Sequence, residues 1–84
     1  MPDQRPPQPR IDSLLMAVAI EHDGTEGLCA TFHDGQWFPL IAAYPRREAF
    51  VRETAKEIAA ARGIAVRLLR FENPAEVELI DGRH

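Results

Sequence analysis

Leu28-Cys29-Ala30-Thr31-Phe32-His33-Asp34-Gly35-Gln36-Trp37-Phe38-Pro39-Leu40 is the stretch that decides the fold. Leu28, Ala30 and Phe32 alternate with Cys29, Thr31 and His33, the period of an extended strand with two different faces. Asp34-Gly35 is a two-residue hairpin signal, because the turn that fits twisted strands needs positive φ at both central positions. A turn there sets His33 opposite Gln36, Phe32 opposite Trp37 and Cys29 opposite Leu40. Gln36 to Tyr44 is then a third strand. Pro39 has no amide to give to a ladder, so this strand belongs at an edge or carries a bulge.

Upstream, Ile11 to Ile20 is almost wholly apolar and includes the strand formers Val18 and Ile20, which predicts a first strand from about Ser13. The turn residues His22-Asp23-Gly24-Thr25-Glu26-Gly27 separate it from Leu28. Downstream, Pro45 suits the first position of a helix. Phe50, Val51, Ala55, Ile58 and Ala59 recur at three- and four-residue spacing, with Phe50 and Ile58 expected on the sheet side. Glu48 and Arg52 are spaced to pair on the wet face, and Gly63 suits a left-handed cap. Ile64 to Phe71 is a fourth strand. Asn73-Pro74-Ala75-Glu76 is a turn, and Val77 to Ile80 carries the weaker pattern of a short fifth strand.

The class that follows is α+β: a small β-β-β-α-β domain over residues 11–84, an antiparallel meander plus one helix packed on one sheet face. Residues 1–10 hold four prolines and no large apolar residue but Met1, so a disordered, polyproline-like tail is expected there. Its Pro6-x-x-Pro9 spacing is that of a groove-docking peptide, although a solubilising tail is the plainer reading. Connection rules place the fourth strand beside the first and parallel to it, in spatial order 3-2-1-4, with Pro39 on the outer strand.

This arrangement leaves a surface unexplained. One face carries Leu28, Ala30, Phe32, Trp37 and Ile41, joined by Val18 and Ile20. The other carries Cys29, Thr31, Phe38, Leu40, Ala42 and Tyr44. The fourth strand adds Ile64, Val66 and Leu68 to one side and Leu69 and Phe71 to the other. One helix covers one face, and an antiparallel sheet with a wet face should be polar there. Phe38, Leu40, Tyr44, Leu69 and Phe71 are therefore the candidate protein-interface residues, since contiguous exposed apolar patches mark interaction sites. The competing reading is that the tail, the C-terminal strand or a bend of the sheet covers the second face within the monomer. In an 84-residue chain the core is small, which favours a homodimer or another protein as the cover.

Chemistry finds less support. Cys29, His22, His33, His84, Asp23 and Glu26 are metal-ligand types without C-x-x-C or H-x-x-x-H spacing, so neither metal nor cofactor is expected. Cys29 and His33 lie roughly 13 Å apart along an extended strand, too far for a nucleophile and its base. Gly24-Thr25-Glu26-Gly27 opens no helix and so makes no phosphate loop. Arg46, Arg47, Arg52, Lys56 and Arg62 follow the helix, but Glu48, Glu53 and Glu57 interleave with them. The net charge of −3 also argues against a non-specific grip on nucleic acid. Trp37 and Phe38 point to opposite faces and cannot share one base-stacking platform. No apolar run approaches the ~20 residues of a membrane span, and the single cysteine makes no internal disulfide, so a cytoplasmic setting is the default. The expectation is a non-enzymatic interaction or regulatory module, ahead of a weak nucleic-acid binder using the arginine-rich helix and a small enzyme or ligand-binding protein using the rim of the first turn.

Overall fold

The computed structural model describes residues 10–83. The proline-rich tail expected over residues 1–10, with its Pro6-x-x-Pro9, lies outside the described residues except for Arg10. At the centre runs β1 (Ser13–Ile20), the most buried strand, with a neighbour on each side. After a turn in which the Thr25 amide and hydroxyl both donate to the Asp23 carboxylate (3.0 and 2.7 Å), β2 (Glu26–Leu28) returns antiparallel beside the second half of β1. Those two hydrogen bonds hold the Asp23 carboxyl below its usual range.

At Cys29 the chain leaves the sheet. β3 (Ala30–His33) and β4 (Gln36–Pro39) form a separate two-stranded hairpin, and the chain rejoins β1 at Leu40 to continue as β5 (Ile41–Ala42). The hairpin register is the expected one, His33 opposite Gln36 and Phe32 opposite Trp37. Its turn has φ of 48° at Asp34 and 78° at Gly35, which a glycine adopts without cost and an aspartate tolerates. The junction is closed by three backbone bonds. Cys29 N–H donates to Ala17 O (2.9 Å), Ala17 N–H to Leu40 O (3.1 Å) and Leu40 N–H to Cys29 O (2.9 Å).

The helix α1 (Pro45–Arg62) begins after Tyr44, whose extended backbone sits at the N-cap, and has Pro45 in its first turn. It ends at Gly63, whose φ of 63° is the left-handed cap the sequence predicts. β6 (Ala65–Glu72) then pairs along the whole of β1, from Ser13 opposite Glu72 to Ile20 opposite Ala65. The fold is thus α+β, one helix packed with antiparallel strands in two sheets.

Five expectations need correction. The last long strand lies beside β1, as expected, but antiparallel to it. The cause is the hairpin: the third predicted strand is not one straight element, so β2 and β5 run in the same direction along one edge of β1. The 3-2-1-4 order is replaced by β2 and β5 in line on one side, β1 in the middle and β6 on the other. β5 and β6 are parallel to each other, and α1 carries the chain over β1 between them. Glu48 does not pair with Arg52; it makes two 2.9 Å hydrogen bonds to Arg70 of β6, tying the helix start to the sheet. Phe50 is 46% exposed, because the buried arc of α1 centres on Val51 and Ala55, with Ile58 packed beside them. Finally, Val77 to Ile80 forms no strand.

The core lies between α1 and one face of β1. Leu15, Ala17 and Ala19 point at Val51 and Ala55, with Cys29, Leu40 and Ala42 closing the side. These are small side chains, and Leu40 and Val51 are the largest that are fully buried.

Candidate interaction surface

Strand alternation assigns the opposite face of the sheet. Leu14, Met16, Val18 and Ile20 of β1 point away from the helix. Directly paired residues share a face, so Phe71, Leu69, Arg67 and Ala65 of β6 join them, together with Leu28 and Glu26 of β2 and Ile41 of β5. No described helix or strand packs on this side.

The face has two halves of different character. Over Val18 and Ile20, the Arg67 guanidinium reaches across β1 from β6 to the Glu26 carboxylate of β2. This ion pair roofs the strand and leaves Val18 only 9% exposed although the helix is on the other side. Towards the start of β1 the roof stops, and Leu14, Met16, Ile41, Leu69 and Phe71 form an apolar half with no charged residue among them. Phe71 is half exposed at its edge, beside a shallow apolar hollow that Ile11 and Pro74 help to line.

The five candidate residues are thus dispersed. Leu69 and Phe71 lie on the open face. Leu40 is fully buried and belongs to the core, because the helix covers the side that holds Cys29, Leu40 and Ala42. Tyr44 is half-buried at the helix N-cap. Phe38 sits on the hairpin, whose wall with α1 is lined by Thr31, His33, Arg47 and Phe50. The alternation within each strand follows from the sequence, but how the faces of different strands combine does not: Leu69 and Phe71 join Ile41 and not Leu40, and the hairpin residues belong to a separate sheet. Leu14, Met16 and Ile41 complete the patch, and their signal was the even-numbered alternation of the first strand together with the partner register of the last.

The hairpin offers a second apolar surface. Phe32 and Trp37 pack edge-tilted at 5.2 Å between ring centroids, and Trp37 is 69% exposed. Between this arm, β2 and the second half of α1 lies an open cavity of about 360 Å³ whose walls include Trp37, Cys29, Ile58 and the Glu21–Arg62 ion pair (2.6 Å). Burial pushes the Cys29 thiol up, away from the thiolate that nucleophilic chemistry needs. His33 stands at the hairpin tip against Asp34, at 3.2 Å. Among the described residues no group of three His, Cys, Asp or Glu side chains is placed to hold a metal ion, and no helix is long and apolar enough to cross a membrane. Of the helix cations, Arg47 lies over the Phe50 ring at 5.0 Å and donates to the Ile41 carbonyl, and Lys56 pairs with Glu53. They are not gathered into one basic strip. Compared with known proteins, this chain matches no family model, no curated protein and no solved structure.

Proposed function

We propose that this chain is a non-enzymatic protein-interaction module, working in the cytoplasm, that buries the helix-free face of its sheet against a second copy or another protein. The observation that supports this reading is the uncharged half-face made by Leu14, Met16, Ile41, Leu69 and Phe71. A sheet face meant for water carries polar residues at alternate positions, and these positions are apolar on three adjacent strands. The core gives a second reason. It is built mainly from alanines and single medium-sized residues, while Phe71, Leu28 and Trp37 lie outside it. Burying apolar area yields about 25 cal/mol per Å², and a chain that leaves its larger apolar side chains outside gains that energy on association.

The test is the solution mass by light scattering or sedimentation at micromolar concentration, alone and with candidate partners. Ile41→Glu and Leu69→Glu place a charge on the open face without entering the core. Both should abolish the contact made by the open face while leaving the melting curve cooperative. An association indifferent to both changes would place the contact elsewhere.

A further inference from the structure

The residues after β6 present a conflict between sequence and structure. Ala75-Glu76-Val77-Glu78-Leu79-Ile80-Asp81 has the alternation of a strand and is bounded by Pro74 and Gly82. Among the described residues no strand pairs with it. No backbone hydrogen bond joins it to another element among the described residues. Val77, Leu79 and Ile80 are 97, 71 and 84% exposed. Asn73, at φ 55°, and Pro74, without an amide, end the β6 ladder and release the segment from its own sheet.

The sheet has a matching vacancy. Among the described residues β6 pairs with β1 alone, so the other edge of this eight-residue strand has no strand beside it there. Arg67 and Arg70 of that edge strand are held by Glu26 and Glu48 of the same chain, so the match rests on backbone groups and apolar side chains. The lengths agree: seven extended residues span about 23 Å and eight span about 26 Å.

We propose that Ala75–Asp81 of one copy adds as an antiparallel strand to the free β6 edge of a second copy, reciprocally, giving a strand-exchanged dimer. This goes beyond the open-face reading: it names a second seam with a second copy as its partner, and it does not require the open apolar face. Edge addition satisfies backbone groups on both sides, and side chains at alternate positions give it register. A twofold axis perpendicular to the sheet and passing beside Asn73 preserves the two faces. It sets Leu69 opposite the second copy's Val77, Val66 opposite the second copy's Ile80 and Arg70 opposite the second copy's Glu76. The same register sets Glu78 opposite the second copy's Leu68 and Leu79 opposite its Arg67, so the apolar matches that fix it are those of Val77 and Ile80.

The experiment compares four chains by sedimentation equilibrium: the wild type, the chain ended after Pro74, the double variant Val77→Asp/Leu79→Asp, and Ile41→Glu. Because Val77 and Leu79 are exposed in the single chain, their replacement leaves the monomer fold intact, which a cooperative thermal melt verifies. The wild type and Ile41→Glu should show twice the chain mass, and the two segment variants should show the single-chain mass. Amide exchange of residues 75–81 should be slowed at least tenfold in the wild-type dimer and become fast on dilution. Leu69→Cys and Val77→Cys chains, mixed and oxidised, should cross-link to each other. A dimer that survives loss of the segment but is split by Ile41→Glu would overturn the exchange and leave the open-face contact standing. A wild type that stays monomeric at high micromolar concentration would overturn the exchange while leaving a heterologous partner for the face.

Discussion

Ala17 shows how one small residue determines the path of the chain. Its amide and carbonyl serve two different neighbours, Leu40 and Cys29, at the point where the hairpin departs, and its methyl group is fully buried under α1. A larger side chain there must displace Val51 or Ala55. Ala17→Leu should therefore cost about 1–3 kcal/mol through overpacking. Leu40→Ala, at the same junction, should cost roughly 2–5 kcal/mol by opening a cavity. Phe50→Ala should cost only about 1 kcal/mol, since the ring is half exposed and sits under Arg47. Urea unfolding of the three variants checks the order, and a Phe50 loss as large as that of Leu40 would contradict the helix phase. The sequence shows Phe50 and Val51 as adjacent apolar positions, and periodicity alone does not choose between two neighbours 100° apart on the helix. What decides is the sheet beneath, whose buried β1 residues Ala17 and Ala19 are small and bring the Val51–Ala55 ridge close.

Glu48 belongs to the same scale. Its two hydrogen bonds from Arg70 hold its carboxyl below the ordinary value, with the nearby Arg70 charge acting in the same direction. A folded value below the unfolded one means stability that is present above the usual glutamate pKa of about 4.3 and is lost as pH falls through the lowered folded value. Glu48→Gln should make the stability curve flatter on its acid side while leaving its neutral-pH shape alike. Denaturant melts from about pH 5 down to about pH 2 cover the window in which the carboxylate protonates, and an unchanged acid slope would remove Glu48 from this role.

The hairpin is an element the sequence reveals in detail and yet places wrongly. Asp34-Gly35 specifies the turn and the register because only certain backbone angles close a two-residue loop, and those angles select residue types. Nothing local specifies that the two hairpin strands leave the sheet. That depends on Cys29 and Leu40 competing for the same stretch of β1, a contact between residues far apart in the chain. The consequence is modular. β3 and β4 pair with each other and not with β1, β5 or β6, while the Leu40 amide already bonds the Cys29 carbonyl. Replacing Ala30–Pro39 by Asn-Gly should therefore close a short turn, keep β1, α1 and β6 in place and preserve a single cooperative melt. A noncooperative melt with loss of near-ultraviolet signal would show that the arm supports the core. Gly63 gives a sharper single-site check, because the left-handed cap at φ 63° costs an alanine roughly 1–2 kcal/mol.

At the scale of the whole molecule, three arginines late in the chain fasten three glutamates that precede them: Arg62 to Glu21, Arg67 to Glu26 and Arg70 to Glu48. Exposed pairs of this kind contribute at most about 1 kcal/mol each, so they position α1 and β6 on β1 more than they stabilise them. The apolar side chains that ought to supply the larger energy are divided between a thin core and an open face. If association supplies the remainder, folding and dimerisation are linked, and the melting temperature must depend on concentration. For a dimer, each tenfold rise in concentration adds about 1.4 kcal/mol per pair, or about 0.7 per chain, which for a domain of this size moves the midpoint upward by roughly 3–6 °C. Ile41→Glu, which charges the open face, and Val77→Asp/Leu79→Asp, which spoils the trailing segment, separate the two seams. The variant that abolishes the concentration dependence identifies the seam that carries the association, and Trp37→Ser on the hairpin should leave the dependence unchanged. A wild-type midpoint constant across two decades of concentration would mean that the thin core stabilises the fold alone and that the open face waits for a different protein.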